Sequence, residues 1–134
     1  MMFLPQDEGQ RKYCEQVIAK WVNKKDFQIF YEREVPRDNS MIGASALGTE
    51  PVIKQYFFKT AGFNNKDIEN RFYFLRSSIL KEIYFSDRGL TDDFYIASLS
   101  SKTIVYKGLL TANQLRQYYL DLQDSEFKSS LAIV

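Results

Sequence analysis

A serine-rich segment in the last third of the sequence holds the residues best suited to chemistry. Residues 98–110 read SLSSKTIVYKGLL, so Ser100, Ser101 and Lys102 stand side by side before an alternating apolar run. A Ser-Lys dyad would require a buried lysine of depressed pKa within hydrogen-bond reach of the hydroxyl. Adjacent strand residues point to opposite faces of a sheet, which separates Ser101 from Lys102. The segment is therefore predicted to contain the polar turn of a β-hairpin.

Two further motifs resemble catalytic signatures but lack the companion residues. Ser78 and Lys81 form a Ser-x-x-Lys pattern, but the Ser-Asp-Asn and Lys-Thr-Gly motifs that accompany it in penicillin-binding enzymes do not occur. Gly43 and Gly48 have the spacing of a phosphate-binding loop, yet Thr-Glu replaces the required Lys-Ser/Thr pair. We interpret the first motif as a chance match and the second as an ordinary loop.

The absence of histidine removes much familiar catalytic and metal chemistry. No imidazole is present to serve as the base of a Ser-His-Asp or Cys-His arrangement, or as a zinc or haem ligand. The single cysteine, Cys14, lies within a helical pattern and is interpreted as core filler rather than a reactive thiol. Two acidic pairs, Asp7 with Glu8 and Asp92 with Asp93, are interpreted as helix-start or loop residues. No metal site is predicted.

Composition and charge describe a folded domain without a nucleic-acid or membrane surface. The chain has 134 residues, of which 45% are hydrophobic, 26% charged and 16% aromatic, which suits one domain with a bulky core. Its net charge is +1, and basic and acidic residues are interleaved. No apolar run reaches the length of a membrane span, and the opening MMFLP is too short for a signal peptide. These features predict a cytoplasmic protein with neither nucleic-acid nor membrane partners.

The pattern of apolar residues predicts an α+β fold, because strands fall in adjacent runs between helices. Strands are predicted at residues 1–4, 27–35, 50–59, 94–99, 103–109 and 127–134, and helices at 7–25, 65–86 and 111–119. Residues 41–50 and 121–125 are predicted loops. The strands at 94–99 and 103–109 flank residues 100–102 and form the predicted hairpin.

The longest predicted helix has one apolar stripe and a clear start. Asn64 is the predicted cap, and Asp67 falls in the first turn, where a negative charge is favoured. The stripe steps by three or four residues and predicts a buried face formed by Ile68, Phe72, Leu75, Ile79 and Ile83. Thr111 and Gln114 have the spacing of a capping box at the start of the last helix.

Six segments, in collinear order along nearly the whole chain, resemble a single enzyme family. They read FLPQDE (3–8), VPRDNS (35–40), ALGTEPVIKQ (46–55), DFYIASLSSKTIVYKGLL (93–110), QLRQYYLDLQD (114–124) and SSLAIV (129–134). Together they resemble the N-terminal class II glutamine amidotransferase (type 2) domain of the glutamate synthase large subunit. One mild departure is Leu120, where that family often has proline.

This resemblance implies an N-terminal-nucleophile hydrolase fold, a four-layer αββα sandwich of which the chain would be a fragment. In that family the nucleophile is a cysteine at the mature N-terminus, and its own α-amino group is the base, so no histidine is needed. The domain hydrolyses glutamine to glutamate and ammonia, and the ammonia is used to make glutamate from 2-oxoglutarate. The resemblance also implies FMN and an iron–sulfur cluster in other domains of the parent enzyme, and no cofactor in this chain.

The resemblance further implies that residues 1–134 are a partial amidotransferase domain. The family's catalytic cysteine precedes the region matched by Met1, whereas its glutamine-binding arginine segment and its oxyanion-hole Asn-Gly segment would follow Val134. Cys14 lies well inside the chain and cannot take the role of the nucleophile. We therefore expect no catalytic, substrate-binding or metal-binding residue among those present, and no glutaminase activity from the fragment alone.

The expected partner is the remainder of the glutamate synthase large subunit, with glutamine as the substrate of the intact domain. Self-association through exposed sheet edges is also predicted. The apolar ends of the chain, MMFL and LAIV, indicate a piece of a longer polypeptide. Two alternatives stay open at this point. One is a non-catalytic interaction or regulatory module derived from the same domain, and the other is a self-contained hydrolase that uses Ser100 or Ser101.

Overall fold

Four strands and four helices follow one another in the computed structural model of the chain, which describes residues 1–59, 62, 65–129, 131 and 133. In chain order they are β1 (Met2–Leu4), α1 (Glu8–Lys24), β2 (Gln28–Glu34), α2 (Ala44–Leu47), β3 (Val52–Lys59), α3 (Asn65–Tyr84), β4 (Tyr95–Ile96), α4 (Ala112–Tyr118) and a 3-10 turn at Leu120–Gln123. None of the helices in these ranges is long and apolar enough to cross a bilayer.

The chain divides into two compact units. The first, here called the sheet unit, comprises Met1–Glu34 and Pro51–Val105. The second, here called the tyrosine unit, comprises Val35–Glu50 and Tyr106–Val134. Each unit is therefore assembled from two separate stretches of the sequence.

All four strands of the sheet unit form one antiparallel sheet in the order β2-β3-β1-β4. In the register of this sheet, Phe3 is opposite Ile53 on one side and opposite Tyr95 on the other. The pairing of β2 with β3 shifts between Ile29 and Tyr31, which is the signature of a bulge. The antiparallel sheet with separate helices confirms the predicted α+β class.

Helix α1 matches the predicted span of residues 7–25 to within one residue at each end. Its cap is Asp7, whose side chain accepts a hydrogen bond of 2.8 Å from the main-chain nitrogen of Gln10. The chain leaves the helix through Asp26, which has a left-handed φ of 60°. The side chains that α1 buries lie on one stripe: Cys14, Val17, Ile18 and Val22.

Helix α3 confirms the predicted apolar stripe, because all five of its members are buried. Asp67 lies in the first turn as expected, whereas the predicted cap Asn64 lies outside the described residues. The stripe packs with α1 and with one face of the sheet in a single core that includes Leu4, Phe27 and Ile96. Phe27 stacks on Phe72 with ring centroids 5.0 Å apart.

At the rim of this core, polar contacts join α1 to α3. The indole nitrogen Nε1 of Trp21 donates to Oε2 of Glu82 at 2.8 Å. The ammonium of Lys20 pairs with the same carboxylate, also at 2.8 Å. Glu82 of α3 therefore accepts from two side chains of α1, which fixes the relative position of the helices at the edge of the core.

The predicted hairpin around residues 100–102 is wrong. The first strand shrinks to Tyr95–Ile96, and residues 103–109 form no strand. The main-chain nitrogen of Val105 donates to Oγ of Ser98 at 3.2 Å, and that of Ser101 donates to Oε1 of Glu69 at 2.8 Å. A side-chain acceptor thus takes the nitrogen of Val105, which the predicted second strand would have bonded to its partner strand, and the nitrogen of Ser101 in the predicted turn is bonded to a carboxylate on α3.

In the tyrosine unit the predicted last helix is confirmed as α4, with both hydrogen bonds of the Thr111 capping box present. Three other predictions need correction. Residues 41–50 are not all loop, since Ala44–Leu47 form the short helix α2 between Gly43 and Gly48. The predicted loop at 121–125 begins with the 3-10 turn. The described residues of 127–134 form no strand.

Candidate functional site

The serine-rich segment that was the first candidate for chemistry is bound to a carboxylate. The hydroxyl of Ser101 donates to Oε1 of Glu69 at 2.6 Å, and its main-chain nitrogen donates to the same oxygen. The Ser101 hydroxyl bond, followed by the main-chain bond, lowers the pKa of the Glu69 carboxyl. The hydroxyl of Ser100 accepts from the main-chain nitrogen of Lys102 at 3.1 Å. The hydroxyl hydrogen of Ser101 is therefore directed at an acid, and the arrangement is that of a capped turn.

Both residues of the Ser-x-x-Lys pattern have ordinary roles in helix α3. The hydroxyl of Ser78 donates to the main-chain oxygen of Phe74 at 2.8 Å, one turn earlier. Lys81 is exposed near the end of the helix, where a positive charge is favoured. The two glycines of the supposed phosphate loop, Gly43 and Gly48, are the caps of α2.

Cys14 is a core residue, as predicted. Its side chain is completely buried, and burial raises the pKa of the thiol to about 12, with a smaller contribution from the neighbouring Glu15 carboxylate. A thiol with so high a pKa carries almost no thiolate near neutral pH, and thiolate is the reactive form. No group of histidine, cysteine or acidic residues within the described ranges could hold a metal ion.

A charged cluster in the sheet unit joins three elements. The ammonium of Lys54 on β3 lies 2.6 Å from Oε1 of Glu15 on α1 and 3.3 Å from Oε1 of Glu32 on β2. Beside it is a cleft of about 380 Å³ lined by Lys12, Glu15, Gln16, Ala19, Ile29, Glu32 and Tyr56. Burial, then the Glu32 and Glu15 carboxylates, raises the pKa of Tyr56, so its phenol stays neutral.

The phenol oxygen of Tyr56 is shielded from solvent and has no hydrogen-bond partner in the described part of the chain. An unpaired buried hydroxyl costs about 1–3 kcal/mol. This cost concerns the Tyr56 phenol alone. The charges of Glu15 and Glu32 are compensated, because each carboxylate lies within ion-pair distance of the Lys54 ammonium. The cluster therefore holds α1 against β2 and β3.

A second cluster, in the tyrosine unit, is centred on Glu50. Oε1 of Glu50 accepts from the hydroxyl of Tyr118 at 2.7 Å and lies 3.4 Å from a guanidinium nitrogen of Arg37, and Oε2 accepts from the amide of Asn39 at 3.0 Å. The side chains of Arg37 and Glu50 are only 16% and 14% exposed. Burial and the bond to Glu50 raise the pKa of Tyr118 to about 12.

Two other tyrosines of this unit are also bound through their hydroxyls. Tyr119 is fully buried and donates to the main-chain oxygen of Lys107 at 2.8 Å. Tyr106 donates to Oδ2 of Asp121 at 2.7 Å. The rings of Tyr118 and Tyr119 meet edge to face at 4.7 Å, which is the preferred geometry of aromatic pairs. The phenol hydroxyls of the three tyrosines thus all have acceptors.

Sequence reasoning missed the Glu50 cluster, because it considered Glu50 only as a replacement for the Ser/Thr of a phosphate-binding loop and as the first residue of a predicted strand. Tyr118 is 68 residues from Glu50 in the chain, so no local spacing connects the two. One usable signal is that the uncharged stretch 39–49 is bordered by charged residues, Arg37 and Asp38 before it and Glu50 after it. The expectation that the chain holds no catalytic or substrate-binding residue stays a prediction.

Comparison with known proteins identifies the family. A family profile described as "Glutamine amidotransferases class-II" matches residues 1–134. A chloroplastic ferredoxin-dependent glutamate synthase of Oryza sativa subsp. japonica is 41% identical over 134 residues, which is 99% of this chain and 8% of the relative. The large chain of the NADPH glutamate synthase of Bacillus subtilis (strain 168) is 38% identical over 136 residues, or 100% of this chain and 9% of the relative.

A third relative, the NADH glutamate synthase of Saccharomyces cerevisiae (strain ATCC 204508 / S288c), is 35% identical over 127 residues, or 90% of this chain and 6% of the relative. The chain thus spans less than a tenth of the length of the curated relatives that it matches. Because the family profile covers every residue of the sequence, the chain belongs to the class II glutamine amidotransferases, a family of N-terminal-nucleophile hydrolases.

Proposed function

We propose that this chain is part of the glutaminase domain of a glutamate synthase. The intact domain would hydrolyse glutamine to glutamate and ammonia, and the ammonia would serve to make a second glutamate from 2-oxoglutarate. The observation that carries the proposal is the full-length family match, together with 41% identity to a glutamate synthase over 99% of the chain. The collinear order of the six quoted segments supports the same assignment.

The chain's own contribution would be one sheet of the family's αββα sandwich and its layer of helices. Helices α1 and α3 cover the face of the sheet that carries Met2, Leu4 and Ile96. Side chains alternate between the faces of a strand, so Phe3 and Tyr95 lie on the opposite face, where their ring centroids are 6.0 Å apart.

Aromatic residues also occupy that face nearer the β2 edge of the sheet. The rings of Tyr31 and Phe57 lie 5.5 Å apart, and those of Phe30 and Phe57 lie 6.2 Å apart. Phe30 and Tyr31 are 55% and 54% exposed. Large apolar side chains at the surface mark a contact region, and a second sheet of the sandwich would cover them.

The nucleophile, the glutamine-binding arginine and the oxyanion hole would come from other parts of the domain, so the chain alone would not release ammonia from glutamine. FMN and an iron–sulfur cluster would belong to other domains of the enzyme, whose remainder would be the partner of this chain. Self-association through the β2 edge is proposed for the isolated chain. The cytoplasmic location stays a prediction, and relatives from rice and Arabidopsis thaliana carry the word chloroplastic in their names.

A chimaera tests the proposal directly. The matching segment of the Bacillus subtilis large chain would be replaced by residues 1–134, and glutamine-dependent ammonia release would be measured. We expect the folded chimaera to keep glutaminase activity, because the replacement preserves the family's sheet and helices. A matched chimaera that carries Leu75→Ala should lose soluble protein or activity. A soluble, folded chimaera without glutaminase activity, beside an active parent, would contradict the proposal.

A further inference from the structure

The segment that leads from β2 to β3 contains a loop of unusual composition. Residues 39–49 read NSMIGASALGT and contain no charged side chain. The loop is well exposed: Met41 is 60% accessible, and α2 within it buries no residue. Its main-chain hydrogen bonds are short in range, as in the bonds from Ile42 to Asn39 and from Leu47 to Gly43. Such a segment has the features of a local opening unit, because few buried apolar contacts hold it.

The carboxylate of Glu50 connects both ends of this loop to helix α4. Arg37 lies two residues before the loop, and Asn39 is its first residue. Glu50 follows the last residue of the loop, and Tyr118 belongs to α4. The side chains of Arg37, Asn39 and Tyr118 reach the Glu50 carboxylate at 3.4, 3.0 and 2.7 Å respectively. We call this arrangement the Glu50 clamp. Low exposure of Arg37 and Glu50 strengthens it, since partly buried charges are poorly screened.

Main-chain bonds hold the base of the loop independently of the clamp. The nitrogen of Asp38 donates to the oxygen of Tyr118 at 2.8 Å, and the nitrogen of Leu120 donates to the oxygen of Pro36 at 3.2 Å. One side-chain bond is also independent of the clamp. The amide of Gln114 on α4 donates to the main-chain oxygen of Met41, inside the loop, at 3.3 Å. Loss of the Glu50 carboxylate would leave these bonds in place.

We infer that the Glu50 clamp is a conformational device, which keeps the loop at residues 39–49 closed and whose loss opens that loop while the rest of the tyrosine unit stays folded. Glu50 is well placed for this role because it stands at the end of the loop, and its carboxylate is the common partner of residues at the start of the loop and of Tyr118 on α4. The device is independent of glutamine hydrolysis, so it can be tested on this chain whatever the outcome for the chimaera.

Hydrogen exchange measured by peptide mass spectrometry tests the inference. In Glu50→Ala the amides within residues 42–50 should exchange roughly tenfold faster, while those of α4 and of the sheet unit keep their rates. Glu126→Ala is the matched control, since it removes an exposed glutamate from the same unit. If Glu50→Ala does not fold, Asn39→Ala and Tyr118→Phe each remove one bond of the clamp and should give smaller increases in the same peptides.

Two results would overturn the inference. Unchanged exchange of the loop in all the clamp variants would mean that other contacts keep it closed. Equal acceleration throughout residues 35–50 and 106–129 would mean that Glu50 holds the unit as a whole and has no selective effect on the loop.

Discussion

The sheet unit and the tyrosine unit bury their side chains by different means. The core of the sheet unit is aliphatic and aromatic, and its innermost members have no accessible surface: Leu4, Ile18, Leu75, Ile79, Ile83 and Ile96. In the tyrosine unit the buried side chains include Tyr118 and Tyr119, and each hydroxyl has an acceptor. A core substitution in the sheet unit should therefore lower the free energy of unfolding through lost packing. A substitution of a buried tyrosine in the tyrosine unit should lower it through lost hydrogen bonds.

The largest effect is expected from Leu75→Ala in the sheet unit. Leu75 has no accessible surface and lies in the middle of the α3 stripe, so truncation leaves a cavity. We expect a loss of about 2–5 kcal/mol in the free energy of unfolding, measured by urea titration followed by circular dichroism. Phe85→Ala is the control, because Phe85 is 83% exposed and should change stability by less than about 0.5 kcal/mol. Similar losses for both variants would remove the distinction between core and surface.

The second-largest effect is expected in the dependence of the unfolding free energy on pH above neutrality, which should differ between the two units. Burial raises the pKa of Cys14 from its ordinary 9.0 to about 12, so the unfolded thiol ionises first. Stability contributed by the neutral thiol is complete below pH 9 and falls as pH rises towards 12. By pH 11 the loss should be about 2–3 kcal/mol, at 1.36 kcal/mol per unit of pKa. Denaturant titrations of the wild type and Cys14→Ala from pH 8 to 11 measure it.

The slope of stability against pH should be shallower in Cys14→Ala from about pH 9 upwards. In the tyrosine unit the corresponding change begins later, because the pKa of Tyr118 moves from 10.0 to about 12. Tyr118→Phe should therefore alter the slope only above pH 10. Identical slopes for the wild type and Cys14→Ala would contradict burial of the thiol as the cause.

The smallest of the three effects is expected from Tyr119→Phe. The substitution keeps the ring and its edge-to-face contacts but removes the donor to the oxygen of Lys107. We expect a loss of about 1–2 kcal/mol, the cost of one hydrogen bond with its buried acceptor. Tyr73→Phe, at an exposed tyrosine of the sheet unit, should be neutral in the same urea titration. A neutral Tyr119→Phe would show that packing alone accounts for this unit.

The same contrast explains which parts of the fold the sequence could predict. Helices α1 and α3 were predictable because their buried residues recur at helical spacing. The hairpin prediction failed because Ser98 and Glu69 supply acceptors to main-chain nitrogens, and Glu69 is 32 residues away from the nitrogen of Ser101. The Glu50 clamp was invisible for a related reason, since its partners are brought together only by tertiary structure. Apolar periodicity is local information, whereas a polar network of this kind is not.

The placement of Trp21 has a practical consequence for following the chain in solution. It is the single tryptophan of the sequence, and its indole donates to Glu82 at the junction of α1 and α3. Three lysine ammonium groups lie within 5.8 Å of the ring centroid. The fluorescence of this indole will therefore respond to separation of the two helices and report on the sheet unit. The unit built around tyrosines contains no tryptophan, so its opening is expected to be spectroscopically silent at that emission band.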